Sequence, residues 1–151
     1  MDMPTIDHRG PEFAQLGLDV FEGMCSIFQT KSKVIIYPSS GTGACEAALV
    51  NTLSPGDRVL IFETGQFSAI WRGIAERMSL NVEYVPGNWR RGASPAELEA
   101  RLSADTQHSF KAVVVVHNET STGVTSRVPE LRRAINRVRS EEHTSELQSQ
   151  R

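Results

Sequence analysis

The residues best suited to chemistry lie in one short turn, Ser39-Ser40-Gly41-Thr42-Gly43-Ala44. The apolar run Val34–Tyr37 precedes this turn and predicts a buried strand, and the stretch Ala44–Leu53 predicts a helix. The first backbone N–H groups of such a helix lack partners within the helix, and the positive end of its dipole attracts negative charge. The turn therefore predicts a site for an anion such as phosphate.

The residue types within the turn also favour the binding of an anion. Ser40 and Thr42 supply hydroxyl donors, and Gly41 and Gly43 allow the backbone to approach a ligand closely. A glycine-rich loop that binds nothing fits this short motif equally well. A P-loop is disfavoured because no Gly-Lys-Ser/Thr follows, and the dinucleotide-binding pattern is disfavoured because Glu46 stands where its third glycine would be.

Predicted strands and helices alternate along the chain, which indicates an α/β fold with three layers (α/β/α) around a mostly parallel sheet. Polar and apolar residues alternate in Val82–Val85, which predicts an edge or half-buried strand. The segment Lys111–Val116 has an unbroken apolar run after its lysine and predicts a central strand buried on both faces. Ser94 and Glu97 predict a capping box on a helix that begins at Pro95. The other predicted elements are the strand Arg58–Phe62 and helices beginning at Pro11, Phe67 and Pro129.

Two more polar loops follow predicted strands, Glu63–Phe67 and His117–Val124. Ligands of parallel α/β sheets bind beyond the carboxyl ends of the strands, so we expect these loops to share one rim with the glycine turn. Thr120 and its hydroxyl-bearing neighbours then either bind a ligand or satisfy local backbone groups. Phe67 is either a core residue or a platform on which a flat ring stacks.

The net charge, the apolar runs and the number of cysteines indicate which classes of protein this chain can belong to. The 151 residues carry a net charge of −2, which gives no basic surface for nucleic acid. No apolar run is long enough to cross a membrane, and no signal peptide is evident, so we expect a cytoplasmic protein. Cys25 and Cys45 are too few for a disulfide framework, and we expect reduced thiols in the core.

The two ends of the chain differ from the rest. Residues 1–10 predict an extended arm. From Arg139 to Ser149 the sequence matches the translation of a widely used sequencing-library adapter, so we exclude residues 139–151 from the fold. We expect the natural protein to continue beyond Val138, with residues 1–138 forming the N-terminal part of a larger domain.

An ordered set of motifs resembles one enzyme family. These are Ser-Gly-Thr-Gly-Ala-x-Glu-Ala-Ala, Leu-Ser-Pro-Gly-Asp, Gly-Gln-Phe and His-x-Glu-Thr-Ser-Thr-Gly-Val, together with Asp7-His8-Arg9-Gly10-Pro11-Glu12-Phe13. The set resembles the large domain of class V aminotransferases, which use pyridoxal 5'-phosphate (PLP) and have the fold-type I architecture. It is most similar to the serine–glyoxylate and alanine–glyoxylate aminotransferases.

The resemblance implies a role for each residue. Ser40, Gly41 and Thr42 would hold the cofactor phosphate, Phe67 would stack on the pyridine ring, and Thr120 would hydrogen-bond near the ring oxygen. His8 and Arg9 would lie near the substrate entrance. The implied reaction moves an amino group from serine or alanine to glyoxylate, in a homodimer, with no metal. In a eukaryote the resemblance also allows a peroxisomal location.

The same resemblance implies residues that this chain does not supply. Relatives carry the lysine of the Schiff base, and the groups that bind the pyridine nitrogen and the substrate carboxylate, downstream of the His-x-Glu-Thr-Ser-Thr-Gly segment. The lysines here, Lys31, Lys33 and Lys111, precede predicted strands, on the opposite rim. We therefore expect the 151-residue chain itself to be inactive. The alternatives are another class V enzyme, such as a cysteine desulfurase or phosphoserine aminotransferase, or a non-catalytic phosphate-binding α/β module.

Overall fold

The computed structural model describes residues 5–139. Their contacts divide them into two compact units, residues 5–38 and residues 39–139. The predicted assignments for residues 1–4 and 140–151 lie outside the described residues. In the described part of the chain, no helix is both long and apolar enough to cross a membrane.

The first unit contains a single long helix after an irregular start. The backbone N–H of Gly10 donates to the Asp7 carbonyl at 2.9 Å, which forms a turn just before the helix. Helix α1 spans Pro11–Ile27, with the predicted proline in its first turn. None of its residues is buried. Its large apolar side chains that stay exposed are Phe13, Leu16, Leu18, Val20, Phe21 and Ile27.

The prediction of a buried strand at Val34–Tyr37 is wrong. These residues have no regular structure, and the side chain of Ile35 is 71% exposed. A strand needs a neighbour for its backbone N–H and C=O groups, and no strand within residues 5–139 pairs with this segment. Consequently Lys31 and Lys33 do not precede a strand, contrary to expectation.

The second unit is built on a parallel sheet of three strands, β1 (Arg58–Phe62), β2 (Asn81–Val85) and β3 (Phe110–Val114), in the order β2-β1-β3. The predicted bounds of β1 and the predicted edge position of β2 are confirmed. The prediction that Lys111–Val116 forms a central strand is wrong, because β1 occupies the centre of this sheet. Only one side of β3 has a strand neighbour within the described residues, so its apolar run is incompletely covered.

Four helices complete the second unit, α2 (Gly41–Thr52), α3 (Gln66–Arg77), α4 (Pro95–Ala104) and α5 (Val128–Val138). Helices α2 and α3 cover one face of the sheet, and α4 and α5 cover the other. The predicted three-layer α/β/α architecture is therefore confirmed.

Strand β1 supplies both halves of the core. Successive side chains of a strand point to opposite faces, so Leu60 and Phe62 pack among residues of α4 and α5, while Val59 and Ile61 pack among residues of α2 and α3. Cys45 packs against the second of these clusters as a half-buried free thiol, and burial raises its pKa. Cys25 is also free and half-buried rather than in the core.

An ion network lies at the amino ends of the strands. The Asp105 carboxylate accepts from the Ser109 hydroxyl at 2.6 Å and from an Arg139 nitrogen at 2.6 Å. An Arg58 nitrogen lies 3.8 Å from the same carboxylate, and its guanidinium stacks on the Phe110 ring. Burial raises the pKa of Asp105, but hydrogen bonds from Ser109, Phe110 and Arg139 outweigh it and leave the pKa well below its ordinary value.

Candidate functional site

The glycine turn is the first turn of α2. The helix begins at Gly41, three residues before the predicted Ala44, because Ser40 caps it. The Ser40 Oγ accepts from the backbone N–H of Gly43 at 3.4 Å. Within residues 5–139, no hydrogen bond occupies the N–H groups of Gly41 and Thr42, and a Cβ added at Gly41 would meet nothing within 4 Å.

The second loop leads from β1 into α3. Gly65 caps this helix, and Phe67 is its second residue, with 43% of its surface exposed. Ser68, by contrast, is fully buried. Its Oγ donates to the Gly65 carbonyl at 2.6 Å and accepts from the N–H groups of Thr64 and Gly65 at 2.9 and 3.1 Å. Ser68 thus fixes the backbone that presents the Phe67 ring.

The third loop is a small hairpin that the sequence analysis missed. Its strands are β4 (Asn118–Glu119) and β5 (Val124–Thr125), which pair antiparallel. The turn between them closes where the Gly123 N–H donates to the Glu119 carbonyl at 2.8 Å, and Gly123 has the positive φ of 74° that favours glycine. Thr120 lies exposed in this turn.

Glu119 joins the third loop to the second. Its side chain is 1% exposed, yet its carboxylate accepts from the backbone N–H groups of Phe67 at 3.2 Å and Ser68 at 3.3 Å. The Ser121 hydroxyl donates to it at 2.6 Å, and the Ser121 N–H at 3.3 Å. Burial raises the pKa of this carboxyl, but these hydrogen bonds outweigh burial and lower it, so the group is ionised at neutral pH.

Two further hydrogen bonds join the second and third loops, and Gly65 lies close to the Glu119 side chain. The Ser121 Oγ accepts from the Gln66 N–H at 2.9 Å, and the Thr122 hydroxyl donates to the Thr64 carbonyl at 3.3 Å. A Cβ added at Gly65 would lie 2.5 Å from the Glu119 Cγ. The expectation that hydroxyls of this loop satisfy backbone groups thus holds for Ser121 and Thr122.

The structure brings together two of the three loops that the sequence placed on one rim. No hydrogen bond within the described residues joins the glycine turn to the other two loops, although α2 and α3 share one hydrophobic cluster. His8 and Arg9 are exposed and belong to the first unit, where the Arg9 N–H donates to the Asp7 carboxylate at 3.0 Å. Lys111 is the second residue of β3, at the amino end of that strand.

A separate concavity of about 450 Å³ opens beside the second loop, where β1 and β2 end at Phe62 and Val85. The Glu63 carboxylate forms part of its wall. It accepts from the Gly87 N–H at 3.1 Å and from the Trp89 indole N–H at 2.8 Å.

Among the described residues, no group of three or more His, Cys, Asp or Glu side chains is placed to hold a metal.

The sequence predicted a polar loop at His117–Val124 but assigned no role to Glu119, Gly65 or Ser68. An acid directly after an apolar strand was the available signal. Its burial depends on contacts between residues more than 50 positions apart, for example between Phe67 and Glu119.

Comparison with known proteins identifies the family of this chain. The profile of the family described as aminotransferase class-V matches residues 5–141. The chain belongs to the class-V aminotransferases. Members of this family depend on PLP, and the fold and motifs of this class-V aminotransferase chain agree with that assignment.

Several relatives are named as glyoxylate aminotransferases. The chain is 45% identical over 136 residues to a serine–glyoxylate aminotransferase of Methylorubrum extorquens, a match that covers 89% of this chain and 34% of the relative. It is 42% identical over 136 residues to an L-aspartate–glyoxylate aminotransferase of Paracoccus denitrificans, with the same coverage of 89% and 34%.

Solved structures agree with the fold. The chain superposes on an aspartate aminotransferase of subgroup IV from Thermus thermophilus with a TM-score of 0.79 and 29% identity, over 92% of this chain and 38% of that one. This class-V aminotransferase chain thus spans about a third of the length of the curated relatives it matches, which is consistent with a partial domain.

Proposed function

We propose that this chain is the N-terminal part of an enzyme that transfers an amino group from serine or alanine to glyoxylate with PLP as cofactor. We also propose that residues 139–151 are foreign to the natural protein, which continues with the remainder of the large domain. The proposal rests on the family and on the names of the glyoxylate-dependent relatives.

The start of α2 fits a phosphate group. The unpaired N–H groups of Gly41 and Thr42 and the positive end of the helix dipole attract an anion, and the open space beside Gly41 admits it. The Ser40 oxygen is engaged as the helix cap, and its hydroxyl hydrogen remains able to donate to a phosphate oxygen. We assign the phosphate to Ser40, Gly41 and Thr42.

The second and third loops fit a flat, polar ring. Phe67 offers an exposed aromatic face at the start of α3, and Thr120 offers a hydroxyl in the adjoining hairpin turn. Stacked aromatic rings attract each other beyond the area that they bury, so Phe67 would orient the pyridine ring. Thr120 would donate a hydrogen bond to an oxygen on that ring.

The bound cofactor supplies an electron sink for the transfer of the amino group. The residues of this chain would bind and orient it, and the described part of the second unit provides no lysine on the rim that carries the two joined loops. Lys111, the lysine of the second unit, lies at the amino end of β3. We therefore propose that the 151-residue chain alone does not transaminate and that the catalytic lysine belongs to the missing remainder. His8 and Arg9 remain candidates for the substrate entrance.

The structural observation that best supports this proposal is the junction of Phe67 and the hairpin through Glu119, beyond the carboxyl ends of the strands, where α/β proteins bind ligands. Recovery of the coding sequence after Val138 tests it. We expect a lysine in the recovered segment and, in the full-length protein, an absorbance band of bound PLP at roughly 400 nm.

Substrates are tested with the same full-length protein. Formation of glycine from glyoxylate in the presence of serine or alanine would support the proposal. Release of sulfur from cysteine would assign the protein to the desulfurase branch instead. Binding of phosphate or nucleotide without binding of PLP would indicate a non-catalytic module.

A further inference from the structure

We propose that Glu119 is a positioning residue for the cofactor: without touching it, its ionised carboxylate holds Phe67 and Thr120 in the arrangement that receives the pyridine ring. This inference rests on the proposed function. It concerns a residue to which neither the motifs nor the resemblance assigns a role.

The Glu119 carboxylate contacts both loops. Its Oε1 accepts from the Phe67 N–H and from both the N–H and the hydroxyl of Ser121, and its Oε2 accepts from the Ser68 N–H. Phe67 is the residue proposed to stack on the ring. Thr120, which is proposed to bind the ring oxygen, lies between Glu119 and Ser121 in the chain. One side chain thus holds the backbone of Phe67 and of Ser121, the residue that follows Thr120.

The charge of Glu119 also affects where an anion can bind. The Glu119 carboxylate lies at the first turn of α3, so it occupies N–H groups that would otherwise attract an anion. In the first turn of α2, by contrast, the N–H groups of Gly41 and Thr42 stay unpaired within the described residues. Glu119 therefore directs the phosphate to α2 and leaves the start of α3 to the ring.

An uncharged amide cannot replace the Glu119 carboxylate. Both oxygens of Glu119 accept hydrogen bonds from N–H donors. In Glu119→Gln, the amide nitrogen must face either Ser68 or the pair formed by Phe67 and Ser121, because it takes the place of one oxygen. A buried donor is then left without an acceptor, although the shape of the side chain is unchanged.

The test uses the full-length enzyme reconstituted with PLP. We expect Glu119→Gln to weaken PLP binding about tenfold, in line with the loss of one hydrogen bond to a buried charged group. We also expect a change in the circular dichroism of the bound cofactor, which reports the orientation of its ring. Ser121→Ala removes one donor to the same carboxylate and gives a smaller shift in the same direction, should the first variant fail to fold.

Glu63→Gln is the matched control. Glu63 also bridges two loops through N–H donors, Gly87 and Trp89, but neither of these hydrogen bonds reaches Phe67 or the hairpin. We expect this variant to leave the cofactor dichroism unchanged. Equal changes in Glu63→Gln and Glu119→Gln would show general loosening of the rim and overturn the inference.

A double-mutant cycle tests whether Glu119 acts through Phe67. If it does, Phe67→Leu and Glu119→Gln weaken PLP binding less than additively when combined. Strict additivity, or unchanged affinity and dichroism in Glu119→Gln, would refute the positioning role while leaving the proposed function intact. A wild-type enzyme that binds no PLP would instead refute the proposed function.

Discussion

At the scale of single residues, the buried carboxylate of Glu119 makes stability depend on pH. Its pKa in the folded chain lies below the ordinary value of 4.5, so it stabilises the fold above that pH. This contribution is lost as the pH falls below 4.5 toward the lower pKa of the folded state. We expect the difference in free energy of unfolding between wild type and Glu119→Gln to be large at pH 7 and to shrink below pH 4.5.

Urea unfolding of both proteins at several pH values measures this difference. Asp105→Asn serves as a comparison because its carboxylate also has a lowered pKa, but it lies in the ion network at the amino ends of the strands. This variant should retain the acid-dependent loss that belongs to Glu119. A constant difference between wild type and Glu119→Gln from pH 7 to pH 3 would contradict the prediction.

A second prediction concerns Gly65, where the neighbouring Glu119 side chain leaves no space for a larger residue. An added Cβ would lie 2.5 Å from the Glu119 Cγ and 2.6 Å from its Cδ, and the buried carboxylate is held by four hydrogen bonds. We expect Gly65→Ala to destabilise the fold by about 1 to 3 kcal/mol, as overpacking does. Chemical denaturation measures the effect.

Gly73→Ala, within the same helix, is the control for Gly65→Ala. The nearest atom to its added Cβ is the end of the flexible Arg77 side chain, at 3.4 Å. Alanine favours a helix more than glycine does, so this variant should be neutral or more stable. If the two variants had equal stability, the proposed clash at Gly65 would have no support.

The residues of the candidate site were only partly predictable. Ser40, Gly41 and Thr42 are neighbours in sequence, so the small residues after an apolar run were enough to suggest an anion site. The role of Glu119 was not visible, because its partners Phe67 and Ser68 lie about 50 positions away and only the fold brings them together.

At the scale of elements, the cap of α4 is the clearest local signal. Ser94 accepts from the Glu97 N–H at 3.3 Å as predicted, whereas the Glu97 carboxylate is engaged by Arg101 at 3.0 Å. We expect Ser94→Ala to cost about 1 kcal/mol of stability because the first turn of the helix loses the acceptor for the Glu97 N–H. Thermal or urea unfolding measures the loss, and Ser94→Asp, which keeps an acceptor, should restore it. Equal loss in both variants would argue against capping.

Local patterns predicted the elements whose partners are close in the chain. Strand β1 has the predicted bounds, and its four apolar residues contact helices on both faces. The segments Val34–Tyr37 and Lys111–Val116 have equally apolar sequences, yet the first is not a strand and the second is not central. Apolar content alone thus did not predict burial or pairing, because both depend on neighbours that these 135 described residues do not provide.

At the scale of the whole molecule, the class of fold was predictable because it depends on the order of elements. Alternation of strands and helices fixed the three layers, and the family profile matches residues 5–141. The extent of the sheet was not predictable in this way. The chain spans 34% of the length of its serine–glyoxylate aminotransferase relative. The apolar surfaces left exposed here would be covered by the remainder of the longer protein that we have proposed.

The exposed apolar side chains predict how the 151-residue chain behaves when purified by itself. Leu18 and Ile35 are 59% and 71% exposed, and the other large apolar residues of α1 add to the exposed surface. Because such surface favours association, we expect oligomers that grow with concentration, measured by size-exclusion chromatography with light scattering. The double variant Leu18→Gln/Ile35→Gln should shift the chain toward monomer, whereas Lys33→Gln, at an exposed polar position, should not. A wild-type chain that remains monomeric at every concentration would contradict this prediction, since apolar area left in water is the only driving force invoked.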